Sequence, residues 1–328
     1  MTISIAIWHR ASGTLKVAGL LICAVGASPG LAQYPEKPIT ILTGYDVDSV
    51  GDQVARALAE AAKKHLPQPI LVVNRPGASG ALAISQAVAA QPDGYTLGLG
   101  TIGNLTVQPQ RTKLAYGGPD TYTPVAKLVS YPNVLIVRAG APWKSVNEFL
   151  DYARAHPGQV AVGVPGLATV AHLNVEQLNL VGHLKLKAAY FEGPHQVMAA
   201  IRGEIDAAVA GPAPLITHIK SGTAVALGIF ADRRLSLLPE VPTFKELGFD
   251  VTLGTAQAIV APPGTPTAVI KVLDDTIRNA VGEPSFVSLA EKTANTIDYK
   301  GPEAFAAELR RGFQMNGELL RTLGIKKE

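Results

Sequence analysis

The stretch that decides the fold is ITILTGYDVDSVGDQVARAL, residues 39–58. It begins as an apolar, β-rich run, turns at Gly44, and continues with a helical pattern of apolar residues after Ser49. Ser49 is a favourable N-cap residue, and Asp52 three positions later gives a weak capping box. A strand that leads through a short loop to a helix N-terminus can hold an anionic ligand. The same pattern also fits an ordinary first βα unit that has no site.

Strand and helix patterns alternate along the next part of the chain. Residues 70–73 and 95–99 have strand patterns, and residues 81–90 have a helix pattern between them. This alternation predicts an α/β protein with a mainly parallel sheet and helices on both faces. A second α/β unit begins at Val160, and extended residues on both sides of Pro132 predict a crossing between the two units.

The first 32 residues have the pattern of a secretory signal peptide. They contain Arg10 and Lys16 but no acidic residue, then the apolar run from Val17 to Val25, and small residues up to Ala32. We therefore predict cleavage after Ala32 and a periplasmic mature protein. The rest of the sequence has no second long apolar run, so no transmembrane helix is predicted.

Composition and spacing exclude several kinds of site. The formal net charge is only +3, which disfavours nucleic-acid binding. Cys23 is the single cysteine and lies in the predicted signal peptide, so the mature chain has no disulfide and no cysteine metal site. The histidines show no H-E-x-x-H spacing, and no metal or cofactor is expected. Residues 98–103 spell G-x-G-x-x-G, but they follow the third strand and precede no long helix, which disfavours a dinucleotide site.

Catalytic motifs are also lacking. The sequence has no G-x-S-x-G elbow, and residues 77–80, Gly-Ala-Ser-Gly, do not have that spacing. Ser79 fits better in a turn whose glycines allow positive φ. His172 is expected to pack or to form a hydrogen bond on a helix face. These observations disfavour a hydrolase and indicate a protein that is not an enzyme.

Several ordered motifs together resemble one known family. They are YPEKPI at 34–39, VNRPGASG at 73–80, PDGYTL at 92–97 and APPGTP at 261–266. In this order, they resemble the substrate-binding receptors of tripartite tricarboxylate transporters, the Bug-type periplasmic proteins. The resemblance covers essentially the whole mature chain.

The resemblance implies a type 2 periplasmic-binding-protein fold, in which two α/β lobes are joined by crossing hinge strands and enclose a ligand cleft. The expected division is residues 1–32 as signal peptide, 33–132 plus 253–328 as lobe 1, and 133–252 as lobe 2. It further implies a monomer that captures a small organic carboxylate and delivers it to membrane transporter subunits. A ligand sensor that feeds a signalling receptor is the alternative partner arrangement.

The resemblance also implies two ligand-gripping loops, one after the first strand and one in the second lobe. The expected ligand-binding residues are Tyr45, Asp48, Ser49, Asp52, Thr101, Gly166, Thr169, Glu192 and Gly193. Asp48 and Ser49 stand where the family commonly has two glycines. A carboxylate at Asp48 that faced a bound carboxylate from about 5 Å would cost about 3 kcal/mol at an effective dielectric near 20. Either Asp48 points to solvent, or the ligand is amine-bearing, zwitterionic or neutral, with Glu192 as a second selectivity residue.

Overall fold

The computed structural model describes residues 34–192 and 195–325, which belong to one compact unit. The predicted signal peptide lies outside the described residues. The described chain contains two β-sheets. The strands of the first sheet are β1 (Ile39–Thr43), β2 (Ile70–Asn74), β3 (Thr96–Thr101), β4 (Thr123–Tyr131), β10 (Thr255–Ala261) and β11 (Thr296–Lys300). Those of the second are β5 (Asn133–Arg138), β6 (Ala161–Val164), β7 (Lys187–Tyr190), β8 (Ala207–Ala210) and β9 (Ala224–Phe230).

Helices pack around both sheets, and each sheet with its helices is called a lobe below. The helices are α1 (Val50–Ala62), α2 (Ala81–Val88), α3 (Ile102–Thr106), α4 (Gln108–Arg111), α5 (Val146–Ala155), α6 (Val170–Gly182), α7 (His195–Arg202), α8 (Ala213–Lys220), α9 (Thr267–Ala280), α10 (Pro284–Lys292) and α11 (Pro302–Thr322). Among the described residues, no helix has both the length and the apolar character needed to cross a membrane. The predicted lobe boundaries stay a prediction.

The prediction of a mainly parallel sheet is wrong. The strand order of the first sheet is β11-β4-β10-β3-β1-β2, and only the β1–β2 and β1–β3 pairs are parallel. The pairs of β10 with β3 and β4, and of β11 with β4, are antiparallel. In the second sheet, β7-β6-β8-β5-β9, strand β5 is antiparallel to both of its neighbours. The physical reason lies in the crossings. Strand β10 enters the first sheet at the end where β4 leaves it, and β9 leaves the second sheet at the end where β5 enters it. Strands β5 and β10 therefore run opposite to the strands beside them.

Two crossings connect the sheets, and the two ends of the second pair with residues on either side of the first. The first runs from β4 through Pro132 into β5, and the second returns from β9 to β10. Tyr131 pairs with Thr255 on one side of Pro132, and Asn133 pairs with Phe230 on the other. The predicted crossing around Pro132 is therefore present, and it lies between the two ends of the β9–β10 connection.

Each lobe has its own apolar core. In the first lobe, Ile41 and Leu99 of the sheet pack with Leu58 of α1. In the second lobe, the rings of Phe230 and Phe244 stack with centroids 4.3 Å apart. The interior of each lobe fixes the strands, and thereby fixes the loops at their carboxyl ends.

The G-x-G-x-x-G segment at residues 98–103 allows α2 to pack closely against β3. A Cβ at Gly98 or Gly100 would lie 2.9 or 2.8 Å from Cδ1 of Ile84 in α2. The absence of these side chains therefore lets α2 approach β3 closely. The segment leads into α3, which has only five residues, so no long helix follows it.

Candidate functional site

The candidate site lies where parallel strands of both sheets end. Strands β1, β2 and β3 of the first lobe run parallel, as do β6, β7 and β8 of the second. The loops that follow them are the usual position of a ligand crevice in an α/β sheet. We call the space between these two groups of loops the cleft.

The loop after β1 ends in the predicted helix cap. Ser49 Oγ accepts a hydrogen bond from the backbone N–H of Asp52 at 3.3 Å, which confirms Ser49 as the N-cap of α1. Asp48 is exposed and has a φ of 64°, the left-handed conformation that glycine adopts most easily. The backbone therefore has a glycine-like shape at this position although the residue is aspartate.

The buried carboxylate of Asp52 stabilises the loop after β1 through hydrogen bonds. Its side chain is buried, and Oδ2 accepts hydrogen bonds from the Asp48 N–H at 3.0 Å and from Arg56 Nε at 2.9 Å. Asn74 Nδ2 donates to Oδ1 at 2.8 Å. Burial alone would raise the pKa of Asp52, but the hydrogen bonds from Arg56, Asn74 and Asp48 outweigh it and hold the pKa below its ordinary value. Both carboxylate oxygens are engaged by the protein, so Asp52 positions the loop.

The predicted capping box differs in detail. The Asp52 carboxylate binds the N–H of Asp48, whereas a standard box would use the N–H of the cap residue itself. The Ser49 N–H instead donates to the carbonyl of Asp46 at 3.2 Å. The shift by one residue follows from the left-handed turn at Asp48.

The side chain of Asn104 connects the loops after β1, β2 and β3 by hydrogen bonds. Its Oδ1 accepts from the Tyr45 hydroxyl at 2.9 Å, and from the backbone N–H and hydroxyl of Thr101 at 2.9 and 3.0 Å. Its Nδ2 donates to the Ser79 carbonyl at 2.8 Å. Asn104 was not among the predicted site residues, although an asparagine three residues after a threonine resembles a capping box, which the structure shows here.

Tyr45 is a neutral hydrogen-bond donor at physiological pH. Burial raises the pKa of its hydroxyl to about 12, and hydrogen bonding with Thr101 opposes part of that shift. The ring packs against Gly51 of α1, where a Cβ would overlap with it. Tyr45 and Thr101, two of the predicted site residues, thus lie side by side.

The loop after β2 forms a left-handed turn. Gly77, Ala78, Ser79 and Gly80 all have positive φ, with values of 134°, 48°, 50° and 94°. The left-handed conformation is costly for Ala78 and Ser79, by about 1–2 kcal/mol each. Such strain persists only where the surroundings enforce it, and it is concentrated at functional sites. Here the Asn104 side chain and the close approach of Gly44 to Gly80 enforce it.

The second lobe contributes the loop between β6 and α6. Thr169 is the N-cap of α6, since its Oγ1 accepts from the His172 N–H at 3.2 Å and donates to the Gly166 carbonyl at 3.0 Å. Gly166 has a φ of 121°, and a Cβ there would overlap with Oγ of Ser79. The loops of the two lobes therefore touch at Gly166 and Ser79.

The remaining predicted residues lie at the margin. Glu192 is exposed just after β7, and Gly193 falls outside the described residues. His172 is buried, with Nδ1 accepting from the Ala168 N–H at 3.3 Å and Nε2 lying 3.2 Å from the Tyr190 hydroxyl. This agrees with the packing and hydrogen-bonding role predicted for it. Within the described chain, no group of three or more His, Cys, Asp or Glu residues could hold a metal ion.

Two cavities lie beside the cleft, and the predicted site residues line neither of them. The larger, of about 340 Å³, lies beyond the second-lobe loop and is lined by Arg111, Leu167, His172, Glu176, Tyr190, Gly324 and Ile325. The smaller, of about 120 Å³, is mostly apolar and lies against α11. We place the candidate site in the cleft because the loop after β2 and the loop after β6 touch there, at Ser79 and Gly166.

Two α/β lobes joined by paired crossings, with loops from both lobes meeting at the strand ends, define the class of two-lobe periplasmic binding proteins. The family described as "Tripartite tricarboxylate transporter family receptor" matches residues 54–304, and the chain belongs to this family. This is a family of solute-binding receptors, whose partners are a small molecule and a transporter.

Three similar proteins show how far the likeness extends. A UPF0065 protein of Bordetella pertussis is 30% identical over 274 residues, which cover 83% of this chain and 85% of that protein. The solved periplasmic binding protein BugD is 25% identical with a TM-score of 0.82, and the match covers 90% of this chain and 100% of BugD. MatC from Rhodopseudomonas palustris, solved with bound malate, is 25% identical with a TM-score of 0.80, over 88% of this chain and 100% of MatC.

Proposed function

We propose that this protein is a non-enzymatic periplasmic receptor that binds a small organic carboxylate in the cleft and delivers it to the membrane subunits of a tripartite transporter. The observation that carries the proposal is the meeting of the two lobes at Gly166 and Ser79, next to the hydroxyl caps of α1 and α6. Family membership and the malate in the related MatC structure support the same ligand class.

The cleft offers a carboxylate the groups that it needs. Helices α1 and α6 each have 13 residues, and the first N–H groups of a helix have no partner within the helix. Partial positive charge at a helix N-terminus favours an anion there. We assign direct or water-mediated contacts to Tyr45, Ser49, Thr101, Gly166 and Thr169. Asp52 acts through the loop that it positions, and Gly193 stays a sequence-based prediction.

The exposure of Asp48 weakens the electrostatic argument against a carboxylate ligand. Two unit charges 5 Å apart repel by about 0.8 kcal/mol in bulk water, against about 3 kcal/mol at an effective dielectric near 20. Because Asp48 is exposed, the lower figure is closer to its situation. Asp48 and Glu192 then act at the rim and disfavour ligands that carry an extra negative charge.

Contact between the lobes links ligand capture to delivery. A ligand shifts the equilibrium toward the closed form only if it binds that form more tightly than the open form. A carboxylate that touches Ser49 on one lobe and Thr169 on the other would bind the closed form more tightly. The two contacts can form at the same time only after the lobes close. The transporter would then recognise the closed form.

Thermal unfolding of the mature protein with a ligand panel tests this proposal. The panel contains dicarboxylates, tricarboxylates, aromatic acids, amino acids, amides and amines. A ligand at a hundred times its Kd adds about 2.7 kcal/mol of stability, which corresponds to a rise of several degrees for a chain of this size. If amines or neutral compounds raise the midpoint and carboxylates do not, the carboxylate proposal is wrong and the amine-binding alternative replaces it.

A further inference from the structure

A row of polar side chains runs along the cleft end of the first sheet. Gln257 of β10 pairs directly with Thr101 of β3, and Thr255, two residues earlier, pairs with Tyr131 of β4. Residues two apart on a strand share one face of the sheet, so Gln257 lies between Thr101 and Tyr131. Tyr45, beside Thr101, completes the row.

Gln257 is the exceptional member of this row. Its side chain is 1% exposed, and its Oε1 has no hydrogen-bond partner among the described residues. Burying an amide oxygen without a partner costs free energy, and such a group in a native structure calls for an explanation. The ladder between β10 and β4 shifts register immediately after Gln257. β-Bulges and similar shifts of register change the direction of side chains and are frequent beside active sites.

Tyr131 is a neighbour of the Gln257 amide. Burial raises the pKa of the Tyr131 hydroxyl, the nearby Tyr45 adds to the rise, and the Gln257 side chain opposes it. Oε1, the acceptor end of the same amide, remains for another partner.

The second lobe closes over this row. Gly211 follows β8, and a Cβ there would lie 2.8 Å from Cε2 of Tyr131. The backbone of the second lobe can approach the Tyr131 ring only because residue 211 has no side chain. Tyr131 and its neighbour Gln257 thus lie where the lobes meet, at the foot of the cleft.

We propose that Gln257 Oε1 accepts a hydrogen bond from a hydroxyl or amino group of the ligand, so that the cleft selects carboxylates that carry such a substituent. This inference rests on the proposed function and names a narrower ligand class for the same site. A carboxylate oxygen is excluded from this position, because two acceptors repel. Tyr131 is a positioning residue, since it acts through the Gln257 amide.

Calorimetric titration of the mature protein with matched acids tests the proposal. The probes are succinate against malate and aspartate, glutarate against 2-hydroxyglutarate and glutamate, and propionate against lactate and alanine. In at least one set, the substituted acid should bind about tenfold or more tightly than its parent, because the parent leaves Oε1 unpaired. In Gln257→Met, the ratio of the affinities for the substituted acid and its parent should fall to about one.

Gln196 provides a matched control. It is also 1% exposed with Oε1 unpartnered among the described residues, but it lies in α7 of the second lobe, where its Nε2 donates to the Val209 carbonyl. Gln196→Met should keep the preference of the wild type. Tyr131→Phe is a second variant, which should reduce the ratio of the affinities for the substituted and parent acids, and it decides the matter if Gln257→Met does not fold.

The outcomes separate the two proposals. A protein that binds a parent acid and its substituted forms equally well overturns the role of Gln257 and leaves the receptor proposal standing. Retention of the preference in both Gln257→Met and Tyr131→Phe does the same. If none of the acids binds, the receptor proposal for carboxylates fails, and the narrower inference fails with it.

Discussion

Gly166 of the second lobe lies against the Ser79 hydroxyl of the first lobe so closely that a side chain at residue 166 would overlap with it. This contact joins the loop that begins α6 to the left-handed turn after β2. Because a Cβ at residue 166 would overlap with the Ser79 hydroxyl, the contact leaves no room for one added methyl group.

Gly166→Ala should therefore weaken ligand binding by about tenfold or more, because the added Cβ holds the two loops apart. Calorimetric titration with the tightest carboxylate of the panel measures the effect. Gly222→Ala is the matched control, since Gly222 also has positive φ, 69°, but a Cβ there meets nothing within 4 Å. Both variants lose about 1 kcal/mol of stability through backbone strain. Equal affinities for the two variants would contradict a closing contact at Gly166.

Ala78→Gly should raise the free energy of unfolding by about 1 kcal/mol, because it removes the cost of a left-handed alanine. At the same time we expect weaker ligand binding, since glycine leaves the turn less rigid before the ligand arrives. Urea denaturation and calorimetry give the two quantities. Ala294→Gly, at a φ of 54° two residues after the end of α10, should give the same stabilisation with no change in affinity. A loss of affinity in both variants would argue against preorganisation at residue 78.

Asn104→Ala should cost about 3 kcal/mol of stability, because the Tyr45 hydroxyl and the Thr101 N–H lose a buried acceptor. Ligand affinity should fall as well, since three cleft loops are released. Asn295→Ala is the control, because Asn295 is also buried but donates only to Thr293 within its own loop, at 2.9 Å. That variant should lose less stability and keep its affinity. Unchanged affinity in Asn104→Ala would show that the loops hold their positions without Asn104.

Asp52→Asn should reduce the free energy of unfolding at neutral pH by about 1–2 kcal/mol, a range kept low because its partner Arg56 is half exposed. The folded-state pKa of Asp52 is lowered, so its stabilisation is complete above the unfolded pKa near 4 and is lost as pH falls through the folded value. Wild type and variant should thus converge in acid. Asp151→Asn, which breaks an exposed pair with Arg154, should have no measurable effect. A constant difference between wild type and Asp52→Asn down to about pH 2 would contradict this account.

Local patterns were enough to predict the parts of the site that depend on neighbouring residues. The Ser49 cap follows from a hydroxyl residue placed before a helical pattern, and the structure contains it. Thr169 caps α6 in the same way. The roles of Asn104 and Gln257 depend on contacts with residues far away in the chain, such as Tyr45 and Tyr131. The spacing of Thr101 and Asn104 indicates a capping box but not the link between three loops, and no spacing rule identifies Gln257.

The fold shows the same division between local and distant causes. The directions of β5 and β10 follow from where the chain crosses between the lobes, which alternation of strands and helices does not reveal. Strand β11 was not predicted, since TIDYK has polar residues and lies at the sheet edge. Its place depends on Lys127, which is 5% exposed and pairs with Asp298 at 2.6 Å and with Glu308 at 2.7 Å.

The crossing at Pro132 restricts how the lobes can move. Tyr131 is held by Thr255 in one sheet and Asn133 by Phe230 in the other, and Pro132 has no N–H to continue the ladder between them. A short connection held on both sides by a ladder bends about a single axis. The lobes should therefore open as a rotation with one degree of freedom, so that several label pairs placed across the cleft would report distances that all follow from the same angle.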